Sequence, residues 1–266
     1  MLKFDANLRW MFNEWPMRER YAAAARCGFK GVEVAFPYEN PLPEARALLD
    51  DNGLALVQVL TWSDWAKGEV GIGCHPGREA EFRASVDQAL EYAVPLKCPL
   101  VHATAGLVPA GVERARAYDV FHANLAYAAD QAAPHGIDII IEPVSHQRFA
   151  GFLMTRIDEG LAIIRAVGRP NVKLCFDFFH VYMEEGAVAE KMELAWPHIG
   201  HVQVGDPPLR NEPGTGEINN DYFLGLLEKK GWDRWIGCEY KPSGHTLDSL
   251  GWAARFGIRG RGAAAA

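Results

Sequence analysis

Four side chains that offer oxygen atoms stand at the ends of short apolar runs in the sequence. The runs 139–141, 172–176, 199–202 and 235–238 lead respectively to Glu142, Asp177, Gln203 and Glu239. A short run rich in branched apolar residues predicts a buried strand, so its last residue lies where the core meets solvent. Three carboxylates and one amide at such positions could bind a cation, transfer protons, or do both.

Three carboxylates in one pocket repel each other strongly unless a cation or protons neutralise them. A ligand set made only of oxygen favours a hard divalent ion, Mg²⁺ or Mn²⁺, over Zn²⁺. Such an ion can polarise a carbonyl group and hold the neighbouring hydroxyl group, and so stabilise an enediolate. The alternative is that these carboxylates merely cap loops or pair with lysine and arginine side chains.

The side chains can converge only if the strands share one parallel sheet, and the rest of the chain predicts such a sheet. Strand-like runs occupy 3–8, 32–36, 54–60, 100–103, 138–142, 172–177, 199–204 and 235–239. Helix-like runs alternate with them at 17–27, 42–51, 78–92, 112–133, 156–167, 187–196, 218–230 and 247–256. Eight strand–helix pairs predict an α/β fold, a (β/α)8 TIM barrel, in which the carboxyl ends of all strands face the active-site side.

The barrel is predicted to be a single domain covering residues 1–258. The rival architecture, an open doubly wound sheet, would need a glycine-rich phosphate turn after an early strand, and residues 7–13 contain none. Residues 259–266 read Arg-Gly-Arg-Gly followed by four alanines, a low-complexity tail that we expect to be frayed or disordered.

Composition limits the classes of partner. The chain has 266 residues, 49% of them hydrophobic and 23% charged, with a net charge of -7, which is ordinary for a globular enzyme and argues against a nucleic-acid partner. No apolar run has the length that a membrane-spanning helix needs. Five cysteines without CxxC spacing, and no recognisable signal peptide, predict a cytoplasmic protein.

Four stretches carry a resemblance to a known family. They are FDFFH at 176–180, HVQVGDP at 201–207, EPGTGEIN at 212–219 and GCEYKP at 237–242. Together they resemble the hydroxypyruvate isomerase family of the xylose-isomerase-like TIM barrels. The likeness extends from about Phe4 to about Pro242, and the stretch at 212–219 is specific to this group.

The resemblance implies a metal site and an acid/base pair. Glu142, Asp177, Gln203 and Glu239 would ligate one divalent metal, Mg²⁺ or Mn²⁺, and Glu142 and Glu239 would also move the proton. Related sugar epimerases commonly have a histidine where this chain has Gln203, so the site here would be built from oxygen alone.

The implied reaction interconverts hydroxypyruvate and 2-hydroxy-3-oxopropanoate (tartronate semialdehyde) through a metal-stabilised enediolate. The alternatives are a 2-oxo-tetronate isomerase or a ketose 3-epimerase on the same barrel. A more distant alternative is a phosphodiesterase like endonuclease IV, but Gln203 and the net negative charge argue against its histidine-rich zinc cluster and basic face.

The substrate would be a small anionic hydroxy-keto acid, and several further residues are candidates to bind it. The resemblance implies that His180, in a D-x-x-H arrangement with Asp177, hydrogen-bonds the substrate oxygen that gains negative charge. Arg210 and Lys241, with Lys67 a weaker candidate, follow strands and could bind the substrate carboxylate, although each could equally be a solvated surface charge.

Three more polar residues end early strands, and one loop is long. Asn7, Glu33 and His102 stand at the ends of the first, second and fourth strands and could line the floor or rim of the pocket, although each could equally have a structural role. The loop from 61 to 75 carries Trp62 and Trp65, which could close over a substrate or pack against a second subunit of a homo-oligomer.

Overall fold

Eight short strands follow one another in chain order around a closed parallel barrel in the computed structural model, which describes residues 1–261. The strands are β1 Lys3–Asn7, β2 Gly31–Glu33, β3 Ala55–Leu60, β4 Leu100–His102, β5 Asp138–Ile141, β6 Val172–Asp177, β7 Ile199–Val204 and β8 Trp235–Cys238. Strand β8 pairs with β1, and this pairing closes the barrel. The predicted (β/α)8 TIM barrel is confirmed.

Helices connect the strands on the outside of the barrel. They are α1 Met17–Arg26, α2 Leu42–Asp50, α3 Glu79–Ala93, α4 Arg114–Ala132, α5 Ile157–Val167, α6 Phe178–Glu184, α7 Val188–Ala195 and α8 Asn220–Lys229. The helix predicted at 247–256 is wrong as an α-helix, because this segment forms two 3-10 helices, Thr246–Asp248 and Gly251–Phe256. The Ser249 hydroxyl donates to the carbonyl of Thr246 and so competes with a regular helical turn.

Helix α6 follows β6 without a loop, and the sequence did not predict it. Asp177 ends the strand and caps the helix, because its carboxylate accepts a hydrogen bond of 2.8 Å from the backbone N–H of Phe179. The apolar residues of β6 continue into the helix, so no polar break marks the boundary. This junction places Asp177 and His180 one helical turn apart at the mouth of the barrel.

The inside of the barrel is apolar near the amino ends of the strands and polar near their carboxyl ends. Near the amino ends of the strands it is filled by Val57, Leu100, Ile140 and Cys175, with Trp235 packed against them. At the carboxyl ends it is lined by polar side chains from every strand or from the residue that follows it. These are Asn7, Glu33, Gln58, His102, Glu142, Asp177, Gln203 and Glu239, and all but Glu239 are buried. The apolar side chains therefore form a packed layer beneath the polar side chains.

The end of the described chain is attached to the barrel. The backbone N–H of Arg259 donates to the carbonyl of Cys27 at 2.8 Å, and that of Arg261 donates to the carbonyl of Leu247 at 3.0 Å. Two of the first three residues of the predicted tail are therefore hydrogen-bonded, and the rest of it, 262–266, lies outside the described residues. Within residues 1–261, no helix combines the length and the hydropathy that crossing a bilayer requires.

Candidate active site

A cavity of about 330 Å³ opens at the carboxyl ends of the strands. Six of the predicted site residues line it together, and they come from β1, β4, β5, α6 and the loops after β7 and β8. These residues are Asn7, His102, Glu142, His180, Arg210 and Glu239. Glu33, Gln58, Arg9, Trp10, Trp65, Arg148 and Phe149 also contribute to the lining.

An acidic cluster lies at the inner end of this cavity. Glu142, Asp177 and His180 each offer one ligand atom, and these atoms all lie within 4.8 Å of one another. His180 Nε2 is 3.8 Å from Glu142 Oε1 and 3.7 Å from Asp177 Oδ2. Within residues 1–261, Glu142 Oε1 is buried and accepts no hydrogen bond. A buried carboxylate oxygen without a donor is what a cation or a substrate hydroxyl group would satisfy.

Arg210 supplies the positive charge at this cluster. Its Nη2 atom contacts Asp177 Oδ2 and lies 3.1 Å from Glu239 Oε1, while its Nε donates to the backbone carbonyl of Glu239 at 3.1 Å. The residue is buried and has a φ of 57°, in the left-handed region that costs a non-glycine residue about 1–2 kcal/mol. The loop is held there by a hydrogen bond from Lys241 N–H to the Arg210 carbonyl.

Both ring nitrogens of His180 face hydrogen-bond donors. Arg210 Nη1 lies 3.1 Å from Nε2, and since a guanidinium can only donate, Nε2 is the acceptor. Nδ1 accepts from the backbone N–H of Ser145 at 3.3 Å and lies 3.1 Å from Ser145 Oγ. Burial, with repulsion from Arg210 and Arg148, lowers the pKa of His180 well below its ordinary value. The imidazole is neutral and faces the cavity as a hydrogen-bonding group.

The carboxyl groups of the cluster are poorly solvated. Burial, followed by repulsion from Glu239 and Asp177, raises the pKa of Glu142 well above its ordinary value. Burial raises the pKa of Glu239 to about 7, although Arg210 opposes this shift. The pKa of Asp177 is also raised by burial, with Arg210 again opposing. Such groups favour a proton or a cation over free ionisation.

The residues of the cluster fit a hard divalent cation. Glu142, Asp177 and Glu239 supply carboxylate oxygens, and the unpartnered Glu142 Oε1 is available for bonding. Gln203, the fourth predicted ligand, has its amide engaged elsewhere in this structure. Its Nε2 donates to Glu33 Oε2 at 2.8 Å, and its Oε1 accepts from the Cys175 thiol at 3.1 Å.

A second polar group lies below the cavity and is centred on Glu33. The Glu33 carboxylate contacts His201 Nε2 at 2.5 Å and accepts from Gln203 Nε2 at 2.8 Å and from Asn7 Nδ2 at 2.7 Å. These contacts join β1 and β2 to β7 across the barrel. Sequence reasoning identified Glu33 as a strand-end residue but missed His201 and Gln58, which lie within strands and carry no end-of-strand signal.

His102 belongs to the wall of the cavity beside the cluster. Its Nε2 lies 3.8 Å from Glu142 Oε2, and burial lowers the pKa of His102 to about 4. Asn7 is held on the floor by its hydrogen bond to Glu33. Both residues are therefore positioned to present neutral polar groups to a bound molecule.

The two lysines predicted to bind the substrate lie elsewhere. Lys67 pairs with Asp64 at 2.9 Å with 79% of its side chain exposed, and the side chain of Lys241 is exposed as well. Neither lysine lines the cavity. Two arginines that sequence reasoning did not select, Arg9 and Arg148, do line it. Their positions just after β1 and β5 were the available signal, because loops after barrel strands form the active-site face.

Comparisons with known proteins agree with this architecture. A family model described as xylose isomerase-like TIM barrel matches residues 21–256. A 2-oxo-tetronate isomerase from Cupriavidus necator is 44% identical over 254 residues, which are 95% of this chain and 97% of that protein. The hydroxypyruvate isomerase of Escherichia coli is 40% identical over 253 residues, 95% of this chain and 98% of that protein. A crystal structure of an AP endonuclease, family 2, from Brucella melitensis has a TM-score of 0.93 at 38% identity, covering 96% of this chain and 99% of that one.

Proposed function

Since the chain belongs to the xylose isomerase-like TIM barrel family and is an isomerase like its curated relatives, we propose that it interconverts hydroxypyruvate and 2-hydroxy-3-oxopropanoate. The observation that carries the proposal is the pair Glu142 and Glu239, which come from β5 and β8 and line one small cavity. Each of the two groups could reach a molecule bound between them, and both are desolvated.

The two glutamates would act as the acid/base pair. One removes a proton from the hydroxymethyl carbon of the substrate, and the other returns a proton to the neighbouring carbon that carried the ketone. The proton of the hydroxymethyl oxygen passes to the former ketone oxygen, which leaves an aldehyde and a new hydroxyl group. A carboxyl group with a pKa close to neutrality, as burial gives Glu239, is suited to both taking and giving a proton. Each such step contributes about 10²- to 10⁴-fold to the rate.

The neighbouring residues would orient the substrate around this pair. Mg²⁺ or Mn²⁺, held by Glu142, Asp177 and Glu239 with Gln203 as a further candidate ligand, would supply electrophilic polarisation of the ketone oxygen. His180 lines the cavity with its Nε2 3.8 Å from Glu142 Oε1, and it would contact a substrate hydroxyl group beside that carboxylate. Trp10 and Trp65 line the cavity and would exclude water from the reacting carbons.

A second candidate is isomerisation of a four-carbon acid, 2-oxo-tetronate. A cavity of about 330 Å³ lies at the low end of the range for ligand sites and has room for a longer chain than three carbons. A phosphodiesterase is not favoured, because the two candidate metal-binding groups among the described residues contain one histidine each, His180 and His201, rather than many.

All five cysteines are free and buried, which supports a reducing compartment and hence the cytoplasm.

The test is proton exchange in deuterated buffer, with hydroxypyruvate and 2-oxo-tetronate supplied separately. We expect label to enter the substrate carbon, and Glu142→Gln or Glu239→Gln to reduce exchange at least about 10²-fold while the protein stays folded. The matched control is Glu217→Gln, since Glu217 contacts Tyr182 outside the cavity. Full exchange by either cavity variant would refute the acid/base assignment. Full exchange after removal of metal by a chelator would refute the metal assignment alone.

A further inference from the structure

Two arginines line the mouth of the cavity with their donors unused. Arg9 lies two residues beyond the end of β1, and Arg148 lies in the loop between β5 and α5. Within the described part of the chain, neither guanidinium forms an ion pair with a carboxylate or donates a side-chain hydrogen bond. Glu239 attracts both arginines but does not contact them. Arginine side chains at a concave site usually serve an anion, and here their donors are available to one.

Aromatic rings hold both guanidinium groups. Arg9 lies over the Trp65 ring at 3.2 Å from its centroid, and Arg148 lies 4.6 Å from the Phe149 centroid and 5.4 Å from that of Trp10. Stacking uses the flat face of a guanidinium and leaves the N–H groups at its edge free to donate. The rings therefore fix the position of each arginine without occupying its hydrogen-bond donors.

Arg210, the third arginine that lines the cavity, differs from these two because its hydrogen-bond donors are engaged. Its nitrogens contact Asp177, His180 and Glu239, so its charge and its donors are already used inside the cluster. Partial burial lowers the pKa of Arg9 and Arg148, and Glu239 opposes both shifts. Repulsion from Arg148 adds to the shift of Arg9, and repulsion from Arg210 adds to that of Arg148. An anion at the mouth would relieve that repulsion.

We propose that Arg9 and Arg148 form an outer anion subsite that binds the charged end of the substrate, a carboxylate or a phosphate. The reacting carbons then lie deeper, between Glu142 and Glu239. This inference rests on the proposed isomerase function and extends it, because it assigns the substrate class: an acyclic hydroxy-ketone with an anionic group at the end opposite the reacting carbons.

The experiment measures binding separately from turnover. Erythronate, its neutral counterpart erythritol, and erythritol 4-phosphate are titrated by calorimetry into the wild type and into Arg9→Gln, Arg148→Gln and the double variant. We expect erythronate or the phosphate ester to bind the wild type, and each single variant to weaken that affinity roughly 10- to 100-fold, the effect of losing a charge-assisted hydrogen bond. Erythritol should bind all variants equally.

The matched control is Arg83→Gln. Arg83 is also exposed and also lies over an aromatic ring, that of Tyr127 at 5.1 Å, but on helix α3 and away from the cavity. We expect it to leave every affinity unchanged. The stronger of the two anions identifies whether carboxylate or phosphate is preferred, and either preference supports the subsite.

Two results would overturn the subsite: anion affinity unchanged in the double variant, or equal losses for erythritol and erythronate. Failure of the wild type to bind either anion would overturn it too. A different result would refute only the proposed isomerase function. In that case no acid would show proton exchange, but anion binding would still depend on the two arginines. In steady-state kinetics with the active acid, Arg148→Gln should raise KM roughly 10- to 100-fold and change kcat little.

Discussion

Replacing Arg210 by methionine tests whether this residue serves as the counter-ion of the acidic cluster. Arg210 and Asp177 are 5% and 2% exposed, and the guanidinium also contacts Glu239. Methionine keeps a long apolar stem and the left-handed backbone strain of a non-glycine residue, so the change removes the charge and its hydrogen bonds. The buried carboxylates then have no cation.

The expected loss of stability follows from the burial of the pair. Removing one member of a buried ion pair costs about 3–5 kcal/mol, because the other charge stays desolvated. Burial already raises the pKa values of Glu142, Asp177 and Glu239, so these groups can take up protons and reduce the penalty. We therefore expect Arg210→Met to lower the free energy of unfolding by about 3 kcal/mol near neutral pH.

The assay is urea unfolding with chelator and with excess Mg²⁺ or Mn²⁺. In chelator, the free energy of unfolding of Arg210→Met should be about 3 kcal/mol lower than that of the wild type. The cation should restore most of this difference, because the metal ion neutralises the same carboxylates. Arg169→Met is the control: Arg169 pairs with Asp130 on the surface at 2.7 Å, and the loss of this solvent-screened pair should leave the free energy of unfolding essentially unchanged. Equal stability of Arg210→Met and wild type in chelator would refute the counter-ion role. If the cation stabilises Arg210→Met and the wild type equally, Arg210 and the metal do not compete for the carboxylate oxygens.

Three further changes probe the scaffold. Glu33→Ala should cost roughly 3–5 kcal/mol in urea unfolding, because three buried donors lose their acceptor, whereas a cost below about 1 kcal/mol would contradict this network. Gly216→Ala places a Cβ 1.9 Å from a backbone carbonyl oxygen and should lower Tm by several degrees, while Gly225→Ala, with open space around it, should not lower Tm. Burial would raise the pKa of Glu14, but hydrogen bonds from Thr246 lower it below its ordinary value, so the charged form stabilises the fold. Because solvent screens this largely exposed group, Glu14→Gln should cost only about 0.5 kcal/mol near pH 7. The difference from wild type in urea unfolding should disappear as pH falls through the lowered pKa, and a constant difference would argue against this role.

The strands were predictable because their signal is local. Branched apolar runs bounded by polar residues mark buried strands, and β6 Val172–Asp177 and β7 Ile199–Val204 have the predicted bounds. The closed barrel followed from eight alternating pairs, and the barrel rule about strand ends then brought Glu142 and Glu239 to one face. Both the fold and the positions of the carboxylates could therefore be predicted from patterns that are only a few residues long.

Features set by distant contacts could not be read in this way. The orientation of the Gln203 amide depends on Glu33, which is 170 positions away in the chain. Arg210 reaches the cluster only through a left-handed backbone conformation, for which a lone arginine gives no sequence signal. For the lysines and arginines of the loops, the sequence gives the charge but not the direction of the side chain, so Lys67 was considered and Arg148 was not.

On the proposed assignment, the arginines at the mouth separate recognition from chemistry in evolutionary terms. Arg9 and Arg148 stand on loops, whereas Asp177 ends a strand and Glu142 directly follows one. Loops after barrel strands tolerate substitution far better than the strands do. A lineage carrying this barrel can therefore acquire new substrates by changing loop residues while the strand-end carboxylates are inherited unchanged.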